Sequence, residues 1–231
     1  MINFLINGVL ASILGSFLLL ILGGFFSHYA RWLLTGLFGR ILDIDIEYVF
    51  RSKSEADKEI EKEISKASFI YVMLGRGYDF QRELFIKSSY QNRPRKLTDF
   101  KVLLPDPYSD ETESNWIEQR EKELANAVPA FGKGLLRQQI KTTISFLESY
   151  VKQNYIELRL FNFPHLGFLL ITDRVAYFSP YSTHQENWKC RVIQHRRGGD
   201  FYEFFVRLFF QVWEVSLSCT QSEAFNKDIS A

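Results

Sequence analysis

The sequence predicts an α/β domain with a mixed sheet flanked by helices, preceded by an N-terminal transmembrane helix. β-Rich runs alternate with helical patterns over residues 54–161, and a hairpin pattern closes the series at residues 163–180. An uncharged apolar run over residues 4–26 predicts the transmembrane helix. The expected organisation is a membrane and juxtamembrane segment over residues 1–42, the α/β domain over residues 43–217 and a flexible tail over residues 218–231.

The run of residues 4–26 is long enough to cross the roughly 30 Å hydrocarbon core of a bilayer as a helix. It lacks the preceding basic residues and the clean cleavage site that mark a signal peptide. The first basic residues, Arg31 and Arg40, follow the run, and the positive-inside rule assigns that side to the cytoplasm. We therefore expect a single-pass membrane protein with its N-terminus outside, its main domain cytoplasmic and membrane lipid as a partner.

Small residues lie along one surface of this predicted helix. Ala11 and Gly15 form a small-xxx-small pair, and Gly8 lies near the same surface. Small residues let helix backbones approach closely, which predicts self-association and a homo-oligomer. The alternative is that glycine is simply common in such helices. Residues 28–42 carry aromatic and basic side chains, and they either lie at the membrane interface or form a second, short span.

The α/β domain is predicted to begin with a helix, a strand and a glycine-rich turn. Residues 54–66, with Ser54 as N-cap, carry glutamate–lysine pairs typical of a solvated helix, and residues 68–74 have the composition of a buried strand. The turn Gly75-Arg76-Gly77 follows, and a helix is expected after it. Such a turn offers backbone amides to an anion, with an arginine beside them. The alternative is that the glycines serve only the backbone geometry of the turn.

The remaining elements follow from the spacing of apolar residues. Residues 155–161 alternate between apolar and polar, which indicates a half-buried strand. The basic turn Arg196-Arg197 precedes a strongly apolar helix over residues 201–217, with Asp200 as its N-cap. The other predicted elements are strands over residues 99–104 and 189–194 and helices over residues 110–127 and 135–153.

The hairpin at residues 163–180 is the centre of the predicted domain. Apolar runs at residues 166–171 and 175–178 flank the polar corner Thr172-Asp173-Arg174, which suits a tight turn. His165 opens the first strand of this hairpin.

Composition excludes several functions. A net charge of +1 gives no reason to expect bulk nucleic-acid binding. The two cysteines, Cys190 and Cys219, build no disulfide framework, and His184 and His195 lack zinc-ligand spacing. The motifs of serine hydrolases, zinc proteases and phosphate-binding loops are absent. We therefore expect no metal and no cofactor.

The order strand–helix–strand–helix–strand, followed by a hairpin that His165 opens, resembles the phospholipase D-like superfamily over about residues 69–213. The mark of that family is His-x-Lys-x4-Asp on such a strand. The resemblance implies that His165 is the nucleophile that attacks phosphorus, while a lysine holds phosphate oxygens. The family's site usually takes two copies of the motif, and this chain has one, so a homodimer would supply the other.

The chain departs from the family motif at several positions. Gly167 stands at the lysine position and Thr172 at the aspartate position, while Asp173 comes one residue late. Along a strand, a slip of one residue turns a side chain to the opposite face. Ser179-Pro180 replaces the family's later Gly/Ser-x-Asn turn.

The missing lysine leaves the phosphate charge to other cations. Arg76, Arg196 and Arg197 can take its place if the fold brings their turns together. With the backbone amides of Gly75 and Gly77, these arginines form the predicted phosphate-binding set.

Two main classes of function follow from these features. The first is a membrane-anchored sensor or effector whose degenerate domain binds a phosphate-bearing ligand, such as a nucleotide or a lipid headgroup. The layout of an anchor with a small sensor resembles effectors of bacterial antiphage signalling systems. The alternative is a membrane phosphodiesterase or phospholipase using His165, and a plainer option is a membrane adaptor for a protein partner. The missing lysine and the late Asp173 favour the sensor over an enzyme.

Overall fold

A computed structural model of the chain describes residues 12–19, 34, 36–37, 39, 45–76, 96–109, 115–127, 131–164, 166–181 and 190–218. From residue 45 onward, the described residues form a mixed β-sheet with helices packed on both of its faces. The predicted α/β class with a mixed sheet flanked by helices is therefore confirmed.

Strands and helices are interspersed along the described part of the chain. The strands are β1 (Ile46–Phe50), β2 (Phe69–Met73), β3 (Asp99–Pro105), β4 (Glu157–Phe161), β5 (Gly167–Thr172), β6 (Val175–Pro180), β7 (Val192–Arg196) and β8 (Leu217–Ser218). The helices are α1 (Lys53–Ile64), α2 (Trp116–Ala127), α3 (Leu135–Lys152) and α4 (Asp200–Val215).

The strand order across the sheet is β1-β7-β6-β5-β2-β3-β4-β8. β2, β3 and β4 run parallel to one another, and every other neighbouring pair is antiparallel. The predicted hairpin is β5 and β6, which lies in the middle of the sheet, and all of β5 is buried. This position explains the continuous apolar run of the first hairpin strand, since a central strand is covered on both faces.

Two cores lie on the two faces of the sheet. Along β5, Phe168 and Leu170 pack toward α1, α2 and α3, whereas Leu169 and Ile171 pack toward α4. This alternation follows from the period of two along a strand. The buried face of α4 is largely aromatic and consists of Tyr202, Phe205, Phe209, Val212 and Trp213.

Two hydrogen bonds between side chains and the backbone stabilise the N-terminus of α1. The side-chain oxygen of Ser52 accepts from the Glu55 backbone N–H at 3.2 Å, and a Glu55 carboxylate oxygen accepts from the Arg51 N–H at 2.8 Å. The arrangement is a variant of a capping box, because the glutamate binds the N–H of the residue before the N-cap and not that of Ser52 itself. The predicted N-cap at Ser54 is therefore wrong by two positions, since the capping side chain is Ser52.

Strand β1 was not predicted. It pairs with β7 at the edge of the sheet, and Tyr48 and Phe50 are buried against the core of α1, α2 and α3. The two-residue strand β8 falls where the sequence predicts the end of a helix, and it pairs with β4 at the opposite edge.

Within the described residues, no helix is both long and apolar enough to cross a bilayer. Residues 12–19 of the predicted span are described and helical, and the absence of a spanning helix applies to the described residues. This finding contradicts the transmembrane helix predicted over residues 4–26. The predictions that depended on that helix are wrong with it: a single-pass protein with its N-terminus outside and its main domain cytoplasmic, and membrane lipid as a partner.

Candidate functional site

The candidate site lies at the edge of the sheet where the parallel strands β2, β3 and β4 end. The register pairs Met73 with Leu169 and Gly167 with Pro180, so the start of β5 and the end of β6 meet at the same edge. We call this the carboxyl edge, and the opposite side the amino edge. In open α/β sheets, ligands bind outside the carboxyl ends of the strands.

Gly75 lies at the carboxyl edge in close contact with Tyr181. The Gly75 N–H donates a hydrogen bond of 2.7 Å to the Tyr181 hydroxyl, and a Cβ at Gly75 would lie 2.5 Å from that oxygen. The Gly75 N–H is therefore already paired with the tyrosine, and a larger residue at this position would have to displace the Tyr181 hydroxyl. Arg76 follows, and its backbone carbonyl accepts a hydrogen bond of 2.9 Å from the Thr143 hydroxyl. Gly77 lies outside the described residues.

Two side chains of α2 pack against the same tyrosine. The Arg120 guanidinium lies 4.9 Å from the ring centroid of Tyr181, and the Trp116 ring centroid lies 6.3 Å from it. Arg120 is buried and donates to Glu123 at 2.6 Å. Trp116 and Arg120 are four positions apart and so lie on one face of the helix. We call Gly75, Trp116, Arg120 and Tyr181 the tyrosine–arginine cluster.

A buried carboxylate fixes α3 beside this cluster. The Glu121 side chain accepts from the backbone N–H groups of Gly134 and Leu136 at 2.7 Å each, and from that of Arg137 at 3.3 Å. It thereby satisfies donors at the start of α3 that have no partner within the helix. The Arg137 guanidinium in turn donates to the backbone carbonyls of Pro107 and Ser109. The loop after β3 is thus tied to both helices.

The second predicted basic turn, Arg196-Arg197, lies at the amino edge. Arg196 pairs with Val175 at the start of β6, and the Arg197 N–H donates to the Arg174 carbonyl at 2.9 Å. β6 runs from Val175 to Pro180 between the two edges, a length of about 17 Å at 3.3 Å per residue. The structure therefore does not bring Arg76 together with Arg196 and Arg197, and one phosphate group cannot contact both turns.

The motif positions of the hairpin hold no lysine-based phosphate site. A Cβ at Gly167 would lie 2.3 Å from the backbone oxygen of Ser179, so the position of the family's lysine has no room for a side chain. Thr172, at the aspartate position, is buried and its hydroxyl donates to Glu63 at 3.0 Å. Asp173 accepts from the Ser68 N–H at 2.8 Å at the amino edge. His165 lies outside the described residues.

His195, which the sequence analysis considered only as a zinc ligand, is buried in the structure. His195 packs against Phe201 and Phe205, with each ring centroid 5.3 Å from its own, and its side chain is 4% exposed. Burial lowers the pKa of His195, while the nearby Asp45 carboxylate opposes that shift. No local pattern of residues signals this pair, because Asp45 and His195 meet only through the pairing of β1 with β7.

Other predicted positions take no part in the carboxyl-edge site. Gly15 lies in the helical residues 12–19, and a Cβ there would meet no atom of the described chain within 4 Å. Gly8 and Ala11 lie outside the described residues. Among the residues that the structure does describe, no group of three or more His, Cys, Asp or Glu side chains could hold a metal ion.

Comparison with known proteins gives a likeness of fold at low similarity. No family model matches the chain, and no curated protein matches it. Among solved structures, TrmBL2, described as an archaeal chromatin protein with a novel mode of DNA binding, is similar with a TM-score of 0.46 and 16% identity, over 82% of this chain and 61% of that one. Nuc of Salmonella typhimurium, a phospholipase D family member, is similar with a TM-score of 0.43 and 12% identity, over 74% of this chain and 95% of that one.

These comparisons bear on two expectations. For the resemblance to the phospholipase D-like superfamily, the comparisons give a likeness of fold to one member of that family, at a TM-score of 0.43 and 12% identity, and no more. The expectation of no bulk nucleic-acid binding is contradicted by the similarity to a DNA-binding protein, and we withdraw it. The net charge of +1 was an insufficient basis, because a chain that is neutral overall can still carry a local basic surface.

Proposed function

We propose that this domain is a binding module for a phosphate-bearing ligand, with nucleotides as the class to test first, and that it senses the ligand without cleaving it. The ligand lies at the carboxyl edge beside Gly75 and Arg76. The observation that carries the proposal is the position of Arg76, which follows β2 at the carboxyl edge of the parallel strands, while the neighbouring Gly75 N–H is already donated to Tyr181.

The chemistry of this edge suits a nucleotide. Arg76 provides a guanidinium group next to the turn, and guanidinium is well matched to phosphate oxygens. The half-buried ring of Tyr181 provides aromatic surface of the kind on which bases stack, and the buried Trp116 packs beside it. The placement also follows the general location of ligands in open α/β sheets, outside the carboxyl ends of the strands.

The hairpin argues for binding over cleavage. A phosphoryl-transfer site needs a cation close to the histidine to stabilise the charge that develops on phosphate oxygens. At Gly167 the backbone of Ser179 excludes any side chain, so a lysine cannot be supplied from that position. Of the resemblance to effectors of bacterial antiphage signalling, we therefore keep one part in this proposal, which is that the domain senses a nucleotide signal.

The test is equilibrium binding of the purified chain to AMP, ATP, a cyclic dinucleotide and inorganic phosphate by titration calorimetry. We expect Arg76→Ala to weaken binding of the best ligand by about tenfold or more, since it removes a charge-assisted contact. Arg197→Ala is the matched control, because Arg197 is an exposed arginine in a similar turn at the opposite edge. It should leave binding unchanged.

Three outcomes would overturn the proposal. One is the absence of binding to every probe at millimolar concentration. Another is equal loss in Arg76→Ala and Arg197→Ala. The third is release of a hydrolysed product by the wild-type chain that disappears in His165→Ala, which would make the domain a phosphodiesterase.

A further inference from the structure

A cavity lies at the carboxyl edge, on the face of the sheet that α4 covers. It is a partly open pocket with a volume of about 450 Å³, lined by residues at the ends of β3 and β4, in the last turns of α4 and in β8. This volume is within the range of small-molecule pockets and equals that of roughly 15 water molecules. Phe161 and Val212, in its lining, belong to the core under α4, whereas Trp116 belongs to the core on the opposite face. The sheet therefore separates this cavity, which we call the α4 pocket, from the tyrosine–arginine cluster.

The body of the α4 pocket is apolar. Phe161 and Phe163, at the end of β4, have ring centroids 4.8 Å apart, and Leu208 and Val212 line the side formed by α4. At its rim, Val215 is 80% exposed. An apolar ligand in this position would remove apolar surface from water on both sides, and this is the main source of affinity in such pockets.

The charge in the pocket is negative. Asp106 is the ionisable side chain among the described lining residues, and no described lining residue is basic. The backbone fixes its position, since the Asp106 N–H donates to the Phe161 carbonyl at 2.8 Å and its Oδ1 accepts from the Tyr108 N–H at 2.9 Å. A carboxylate held in place beside an apolar cavity attracts an ammonium group and repels an anion.

We propose that the α4 pocket binds an apolar molecule that carries a positively charged amine. The apolar part lies against Phe163, Leu208 and Val212, and the ammonium group lies at the Asp106 carboxylate. The volume corresponds to a ligand of about 15 non-hydrogen atoms, since each occupies space of the order of a water molecule. This site is independent of the proposed phosphate-bearing ligand, because it lies on the other face and has the opposite charge preference.

The experiment uses the full chain and the neutral fluorescent probe N-phenyl-1-naphthylamine, which becomes bright in apolar pockets. Dodecylamine and dodecanoate each compete with the probe for the pocket at concentrations below those at which they form micelles. The two ligands have the same hydrocarbon length and differ in the charge of the head group. We expect dodecylamine to displace the probe at a concentration about tenfold lower than dodecanoate does. Asp106→Asn keeps an oxygen for the Tyr108 N–H and should bring the two ligands within about threefold of each other.

Two variants locate the probe in the α4 pocket. Leu208→Trp fills the cavity and should abolish the probe signal. Val215→Lys adds a cation at an exposed rim position, so it does not disturb the core, and it should weaken dodecylamine selectively. Phe204→Ala, which removes a 48% exposed aromatic residue elsewhere on α4, is the control and should change nothing. Arg76→Ala should also leave the probe in place.

The proposal is wrong if dodecanoate competes as well as dodecylamine in the wild-type chain. It is also wrong if the probe binds equally to wild type and Leu208→Trp, if dodecylamine competes equally well in wild type and Val215→Lys, or if the probe does not bind the wild-type chain at all. Thermal unfolding of each variant, followed by circular dichroism, shows whether a lost signal is a lost fold. If Leu208→Trp does not fold, the competition by dodecylamine in Val215→Lys and in wild type decides the outcome.

Discussion

The Nδ1 atom of His195 lies 3.7 Å from the Oδ1 atom of Asp45, and both side chains are buried below the first turn of α4. The other carboxylate oxygen of Asp45 accepts a hydrogen bond of 2.7 Å from the Phe201 N–H. A separation of 3.7 Å is too long for a hydrogen bond, and Nδ1 has no hydrogen-bond partner within the described residues. The imidazole is therefore packed as a neutral aromatic ring. The Asp45 carboxylate lies close enough to stabilise a positive charge on this ring if the ring takes up a proton.

The first prediction concerns pH. Burial lowers the pKa of His195 below its ordinary value near 6.5. The histidine therefore binds a proton more weakly in the folded state than in the unfolded state. Stability is then full above pH 6.5 and is lost as pH falls below it, because the unfolded state binds more protons in that range. The free energy of unfolding in urea should decrease between pH 7.5 and pH 5.5.

The variant His195→Phe isolates this contribution. Phenylalanine fits the aromatic surroundings of Phe201 and Phe205 and cannot take up a proton. The difference in unfolding free energy between wild type and His195→Phe should therefore vary with pH over this window. Parallel pH profiles for the two proteins would show that His195 contributes nothing to the loss.

The second prediction concerns the contact between Gly199 and Asp45. A Cβ at Gly199 would lie 2.0 Å from the Asp45 Cβ, so Gly199→Ala must push β1 away from the start of α4. We expect a loss of unfolding free energy of about 1–3 kcal/mol, typical of overpacking. Gly132→Ala is the control, because a Cβ there meets no described atom within 4 Å.

A double-mutant cycle checks the cause of that loss. Asp45→Gly removes the atom that clashes, so the loss in Gly199→Ala measured on the Asp45→Gly background should be smaller than on wild type. Simple additivity of the two losses would contradict a direct clash between these two positions.

The third prediction concerns the carboxylate that holds α3. Glu121→Ala leaves the N–H groups of Gly134 and Leu136 without their acceptor in a buried setting, and should cost about 2–4 kcal/mol in unfolding free energy. Glu121→Gln retains one acceptor oxygen and should cost less. Chemical denaturation of the purified variants gives both values.

The control for this series is Glu59→Ala. Glu59 is 46% exposed and contacts Lys62 in an i,i+3 pair, so its removal should change stability by no more than about 0.5 kcal/mol. Equal losses in Glu121→Ala and Glu59→Ala would mean that the carboxylate does not stabilise α3.

The fourth prediction concerns the lysine position of the hairpin. Gly167→Ala places a Cβ 2.3 Å from the Ser179 backbone oxygen, between two central strands that cannot separate freely. We expect a loss of about 1–3 kcal/mol or more in unfolding free energy, again with Gly132→Ala as control. Gly167→Lys should be at least as unstable and should gain no phosphodiesterase activity. A stable Gly167→Lys variant would refute the steric reason for the missing lysine.

Local pattern was sufficient for much of the fold. The predicted helices at residues 54–66 and 135–153 correspond to α1 and α3, and the predicted hairpin corresponds to β5 and β6. Each of these elements carries its own signal within a few residues: a helical spacing of apolar side chains, or a β-rich run bounded by turn residues. Their ends were less well predicted, as the cap at Ser52 shows.

Hydrophobicity alone was misleading at the N-terminus. The apolar composition of residues 4–26 predicted a membrane span, and the described part of the chain contains no helix that meets that requirement. The strand β1 was missed for the opposite reason. Its five residues carry a weak signal of their own, and it forms by pairing with β7, which is more than a hundred residues away.

The sequence by itself determined the alternation of helices and strands, the central hairpin and the presence of two basic turns, because each depends on residues that are close in the chain. Only the tertiary structure decided that Arg76 and Arg197 lie at opposite edges of the sheet. It also decided that the Tyr181 hydroxyl accepts a hydrogen bond from the Gly75 N–H and that the side chains of Asp45 and His195 lie next to each other. These relationships depend on strand order and direction, and a local pattern of residues does not encode which distant strands become neighbours.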